Sequence, residues 1–163
     1  MSANGRLSAR NPFRLLMHVP VPWVFVLAYL LGVAVERALR PGASVQWTVV
    51  PAAGAVLLAL GVVIASWSLT LFRRAHTTTV PGKASASLVT SGPYRFTRNP
   101  MYVALSLAYL GEAAWLKQVW PVAFLPLVLA YLHWVVIPVE EARLREVFGE
   151  RYDRYRASVR RWL

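Results

Sequence analysis

Cysteine is absent from the chain, which excludes disulfides, Cys-ligated metals and thiol nucleophiles. Acidic residues are scarce: seven stand against 18 basic ones, for a net charge of +11. Nucleic-acid binding is the usual meaning of such a balance. Here the basic residues flank apolar runs, which argues against it. The glycines are scattered, with no G-x-G-x-x-G or P-loop spacing, so a soluble dinucleotide-binding domain is excluded. No internal repeat or low-complexity tract stands out, and no metal site is expected. Arg6, Arg10 and Arg14 precede the first apolar run, yet no convincing small-residue cleavage site follows. That run is therefore expected to be a retained span and not a signal peptide.

What the chain has in abundance is apolar side chain. Hydrophobic residues make up 57% of it, with 7 Trp, 7 Tyr and 6 Phe, and the mean hydropathy is +0.46. Soluble domains stop at about half apolar. The expected class is all-α: an integral membrane helical bundle forming one domain over residues 1–163. Four apolar blocks serve as spans, at about 22–39, 47–72, 100–115 and 119–137. The second exceeds the ~20 residues a span needs and should tilt, whereas the third falls short of a ~30 Å core. Only Leu116-Lys117-Gln118 separates the last two, so a tight antiparallel hairpin is expected. Trp47, Trp115, Trp120 and Trp134 fall near span ends, as an aromatic belt requires.

Of the 18 basic residues, 15 fall in the N-terminal arm, the 73–99 loop and the tail. Arg37, Arg40 and Lys117 are left for the opposite side. The positive-inside rule then places both termini and the 73–99 loop in the cytoplasm, against anionic membrane lipids. In the tail, 138–163, Leu144, Phe148, Tyr152, Tyr155, Val159 and Trp162 recur at helical steps. This predicts an amphipathic helix over the cytoplasmic mouth, bent or divided at Gly149.

The stretch from Leu88 to Tyr102 organises the rest. Gly92-Pro93 signals a turn. Asn99-Pro100 places Pro100 at the first position of a helix, with Asn99 available as N-cap. Arg98 and Tyr102, four residues apart, are set to point at one spot, either to hold a polar ligand or to anchor the chain at the membrane surface. Downstream, Glu140 and Glu141 are the only adjacent acids. They either serve a site or neutralise Arg143, Arg145 or the Arg73-Arg74 pair. Pro138 removes a backbone N–H and frees the carbonyl of Trp134. His133 lies seven residues before Glu140, as a site residue or a satisfied interfacial histidine. Glu112 has no evident partner. A cation, a phenol, two carboxylates and a freed carbonyl complement S-adenosylmethionine: Arg forks onto a carboxylate, and Glu accepts from an ammonium or ribose hydroxyl.

The segment Leu88-Val89-Thr90-x-Gly92-Pro93-Tyr94-Arg95-x-x-Arg98-Asn99-Pro100-Met101-Tyr102, then Glu140-Glu141, then Phe148-Gly149-x-x-Tyr152-x-x-Tyr155, resembles the isoprenylcysteine carboxyl methyltransferase family. That family belongs to a wider membrane group with the phospholipid N-methyltransferases. The resemblance covers roughly the second half of the chain, plus a Thr79 to Pro81 step. It implies an S-adenosylmethionine-dependent methyltransferase with a lipophilic or lipidated acceptor and a cofactor buried beneath the C-terminal helix. Carried over position by position, it implies cofactor-site or active-site roles for Arg98, Tyr102, Glu140 and Glu141; cofactor contacts are further expected at Val89, Tyr94, Asn99, Pro100 and His133, with Arg98 and Glu141 catalytic. Many members carry His where this chain has Asn99. O-methylation of a carboxylate is the favoured reaction, since it needs no base; an amine would call on Glu141 or His133. Three alternatives stay open: a phospholipid N-methyltransferase, an NADPH-dependent membrane reductase and a non-catalytic membrane adaptor. Changing either Glu140 or Glu141 to Gln is expected to leave folding normal.

Overall fold

A computed structural model describes residues 20–39, 50–75 and 87–163, and among these it is all helix, turn and loop. The calls on Arg6, Arg10, Arg14, Arg40, Trp47, Lys83 and the Thr79 to Pro81 step lie outside the described residues. The elements are α1 (Val21–Leu39), α2 (Val50–Arg74), a 3-10 turn (Gly92–Arg95), α3 (Pro100–Trp115), α4 (Trp120–Tyr131), a π turn (Leu132–Val136), α5 (Ile137–Phe148) and α6 (Glu150–Ser158). Among the described residues, three stretches are long and apolar enough to cross a membrane: Val21–Leu39, Val50–Arg74 and Trp120–Phe148. A helical membrane bundle follows. At 16 residues, α3 is about 24 Å long, short as its sequence indicates.

The last long helix does not end where the fourth apolar block ends. It continues past residue 137 to Phe148 as α4, π turn and α5. Pro138 cannot donate to the carbonyl one helical turn back. The chain accommodates it by widening the preceding turn, so that Ile137 N–H reaches Leu132 O, five residues behind. The tail is likewise not one helix from 138 to 163. Gly149 takes φ +50°, a value L side chains rarely adopt, and divides α5 from α6. At Val159 the backbone becomes extended (φ −127°, ψ 135°), and the last residues run as a strap.

The expected hairpin between the third and fourth spans is tight, with Lys117 at φ +57° and Gln118 N–H on Ala113 O at 2.8 Å. Its two helices nevertheless part: α3 packs chiefly on α2, and α4 on α1. Small residues explain the first pair. A Cβ added to Gly54 would stand 2.5 Å from Trp115 N, and one on Gly111 would overlap the Leu58 backbone. In lipid, where apolar side chains gain little from meeting each other, such close backbone approach supplies the packing energy. The second pair is held by a core of Val21 and Phe25 from α1, Tyr109 from α3, and Leu125, Val128, Leu132 and Ile137. At the 115–120 end, Glu36 of α1 accepts from the Val119 and Trp120 N–H groups, both at 2.9 Å, and so caps α4. Glu112, also at that end, is exposed.

Gly111→Ala tests the α2–α3 contact. The added methyl meets backbone, which cannot rotate away, so a loss of about 2 kcal/mol or more is expected. Thermal melting of the detergent-solubilised protein should drop clearly; an unchanged melting temperature would mean the two helices are not in close contact.

Candidate active site

Two aromatic anchors hold the segment that carries Arg98. In the 3-10 turn, Pro93 and Tyr94 are buried, and the Tyr94 ring meets Phe72 of α2 edge-on, with centroids 5.4 Å apart. Tyr155 of α6 donates to the Tyr94 carbonyl at 2.7 Å. Burial pushes both phenols above their ordinary pKa, so each stays a neutral hydrogen-bonding group. Tyr152, Tyr155 and Leu88 form a second apolar cluster with Leu144, Phe148 and Val159 flanking it. This is the tail's aromatic stripe, packed on the motif segment.

The strap then closes over the same segment. Arg98 N–H donates to Arg160 O at 2.9 Å, Thr97 Oγ1 to Arg161 O at 3.0 Å, and Asn99 Nδ2 to Arg161 O at 2.9 Å. Asn99 therefore does not act as the side-chain N-cap that its position before Pro100 suggested. Its amide is spent on the strap, and α3 starts on Pro100 without it. Trp162 leaves the amphipathic stripe to pack against the first core and donates from Nε1 to His133 Nδ1 at 3.0 Å. His133 is thus tied to the strap.

At the centre, two neighbouring carboxylates of α5 receive two different partners. Tyr102 donates to Glu140 Oε1 at 2.7 Å. Glu141 takes Arg98 Nη2 at 3.2 Å and Arg161 on both its oxygens, Nη2 at 2.7 Å and Nε at 3.1 Å. The Arg98 and Glu141 side chains are only 10% and 11% exposed and that of Arg161 is 25% exposed, so this is a largely buried ion triad. Salt bridges to Arg143, Arg145, Arg73 or Arg74 are not what the pair makes. Arg145 pairs instead with Asp153 at 3.1 Å.

Arg98 is left incomplete. Its Nε and Nη1 are buried without a hydrogen-bond partner among the described residues. The Tyr152 phenol faces Arg98 without meeting hydrogen-bond geometry, and burial, then the Glu141 charge, raises its pKa. Each unmet buried donor costs about 1–3 kcal/mol, and such groups in a folded protein call for an explanation. With Nη2 on Glu141, Nε and Nη1 point apart and do not fork onto one carboxylate, but each is an open cationic donor for a ligand oxygen.

Of the residues singled out in the sequence, Arg98, Asn99, Pro100, Tyr102, Glu140 and Glu141 converge here, with His133 joined through Trp162 and Tyr94 supporting from below. Val89 does not join them; it lines a separate shallow hollow with Leu71, Arg74 and Ser91. Sequence reasoning missed Thr97, Arg161 and the strap role of Trp162. Arg161 read as one more basic tail residue and Trp162 as one more stripe position, so no local pattern marked them. Trp162→Phe should keep the core contact and lose one hydrogen bond, about 1 kcal/mol. Amide exchange at Arg98, whose N–H bonds the strap, is then expected to speed up; no change there would detach the strap from Trp162.

A model of the phospholipid methyltransferase family matches residues 49–151. That range contains Arg98, Tyr102, Glu140 and Glu141 and stops before the strap. The cobalt-zinc-cadmium resistance protein CzcN of Cupriavidus metallidurans is 37% identical over 71 residues, 44% of this chain and 33% of that protein. The nickel-cobalt-cadmium resistance protein NccN of Alcaligenes xylosoxydans xylosoxydans is 34% identical over 76 residues, 47% of this chain and 35% of that protein. The chain thus covers only about a third of these curated relatives, 33% and 35% of their lengths. No solved structure matches it. Among the described residues no group of three or more His, Asp or Glu is placed to hold a metal ion.

Proposed function

This chain belongs to the phospholipid methyltransferase family, and from that membership we propose that it is an S-adenosylmethionine-dependent membrane methyltransferase acting on a lipophilic acceptor. The observation that carries the cofactor is the half-satisfied Arg98, whose Nε and Nη1 are buried and open. Arg98 would hold the cofactor's carboxylate. Glu140, oriented by Tyr102, would accept from its ammonium or a ribose hydroxyl. Glu141 and Arg161 keep Arg98 in place, and the strap keeps water out. When bound, S-adenosylmethionine supplies a methyl group activated on a sulfonium.

The residues favour a carboxylate acceptor over an amine. A carboxylate attacks without losing a proton, and its charge and the sulfonium's cancel as the methyl passes, which a dry site favours. An amine would first have to be deprotonated, and the candidate bases are engaged: Glu141 by two arginines, His133 Nδ1 by Trp162. Isoprenylcysteine-like carboxyl methylation is therefore our first reading. The family's own description supports a phospholipid acceptor as the second. The mouth of the site is assigned to the cytoplasm on the 15-of-18 basic asymmetry.

The test is transfer of labelled methyl from S-adenosylmethionine to a membrane lipid extract by the reconstituted protein. Label released by mild base is a methyl ester and supports the carboxyl acceptor; base-stable label in phospholipid supports the second reading. Binding of NADPH in place of S-adenosylmethionine, with no transfer, would overturn both in favour of a reductase.

A further inference from the structure

Arg95, Arg151 and Arg154 belong to a second feature that the methyl-transfer site does not use. A cavity of about 510 Å³, open to solvent, is lined by Leu88, Arg95, Arg151, Arg154, Ser158 and Val159 among others. Three arginines, all exposed, line it from two elements, the turn and α6. None of the three makes an ion pair within the described residues. The undescribed segments cannot supply one, because all seven acidic residues of the chain are among the described ones. Glu36 caps α4, Glu140 receives Tyr102, Glu141 receives Arg98 and Arg161, and Asp153 receives Arg145. Glu112 sits at the opposite end of α3, and Glu146 and Glu150 reach no ion pair.

Three like charges around one hollow repel each other, weakly where solvent screens them, and a bound anion relieves that repulsion. Guanidinium forks match phosphate oxygens in shape as well as charge, and the Ser158 hydroxyl adds a donor. The surroundings are amphiphilic: Leu88 and Val159 flank the arginines, and Phe96, next to Arg95, is 71% exposed. Basic pockets beside spans on the cytoplasmic face suit lipid headgroups. We propose that this cavity is a binding site for the phosphate of an anionic phospholipid headgroup, distinct from the Arg98 site. A phosphate there joins the turn (Arg95) to α6 (Arg151, Arg154), beside the Tyr155 to Tyr94 bond at 2.7 Å. It thereby clamps the helix from which the strap extends over Arg98. The proposal does not rest on methyl transfer, because its readout is lipid binding.

The test titrates the full chain, purified in a neutral detergent at moderate salt, with short-chain phosphatidylglycerol, short-chain phosphatidylcholine and inorganic phosphate, and reads bound lipid by native mass spectrometry. Wild type should bind phosphatidylglycerol saturably and far better than phosphatidylcholine. The double variant Arg151→Gln/Arg154→Gln should weaken that binding about tenfold or more, with Arg95→Gln as the second variant should the double fail to fold. Arg73→Gln/Arg143→Gln removes the same charge from exposed positions outside the cavity and should bind as wild type does. Displacement of the lipid by millimolar inorganic phosphate would assign the site to free phosphates, and failure to displace it assigns the site to the lipid. Equal binding by wild type and Arg151→Gln/Arg154→Gln, or an equal loss in the control pair, overturns the proposal.

Discussion

On the proposed function, S-adenosylmethionine should stabilise the solubilised protein against heat; Arg98→Ala should abolish that stabilisation and Arg95→Ala should leave it intact. The two arginines are three residues apart in one loop, yet their surroundings differ. Arg95 is exposed, whereas Arg98 is nearly buried, with one nitrogen on Glu141 and two donors open. A charge-assisted contact is worth about 1.5–3 kcal/mol, so cofactor affinity should fall about tenfold or more. Arg98→Lys separates charge from geometry. It keeps a cation for Glu141 but has no further nitrogens to reach a ligand while that contact is made, and should recover melting temperature without recovering cofactor binding. Ligand-induced shifts of equal size in wild type and Arg98→Ala would place the cofactor elsewhere.

The second large effect separates the two glutamates. Glu141 stands between two guanidiniums. Glu141→Gln removes the only negative charge in that triad and leaves both cations facing each other in a largely buried space. Breaking a buried ion pair from one side costs about 3–5 kcal/mol, so the ligand-free protein should melt markedly lower. This revises the expectation that both Gln variants fold normally. Glu140→Gln still meets it, because a Gln carbonyl accepts from Tyr102 as the carboxylate does. Its cost should appear in methyl transfer, tens- to thousands-fold, the range for losing a buried electrostatic contact. Melting curves and initial rates for both variants, at low and high salt, check this. Salt that reproduced either loss in the wild-type protein would show the pair to be exposed charge balance.

The relation between this site and the sequence differs element by element. The apolar runs, the start of α3 at Pro100, the break at Gly149 and the aromatic stripe of the tail were all legible, because each depends on residues within a turn or two of itself. Proline lacks an N–H wherever it stands, and glycine tolerates positive φ wherever it stands. Membrane class follows from composition alone. The adjacency of Arg98 and Tyr102 to the Glu140-Glu141 pair was foreshadowed by a shared motif, but not the pairing within it.

Tertiary structure decided the rest. That α3 leaves its hairpin partner for α2 depends on Gly54 and Gly111 meeting across the interface, and one glycine says nothing about the other in a linear reading. The strap is a non-local device: Arg160 and Arg161 offer carbonyls to residues more than 60 positions earlier, and a backbone carbonyl carries no sequence signature. For the same reason Asn99 looked like a cap and became a strap contact. Arg161 is one of 18 basic residues, alike in sequence and different only in what it faces. The ion triad, and the three arginines left without an acid, exist because folding brings distant charges to one end of the bundle, where burial decides which of them are paired.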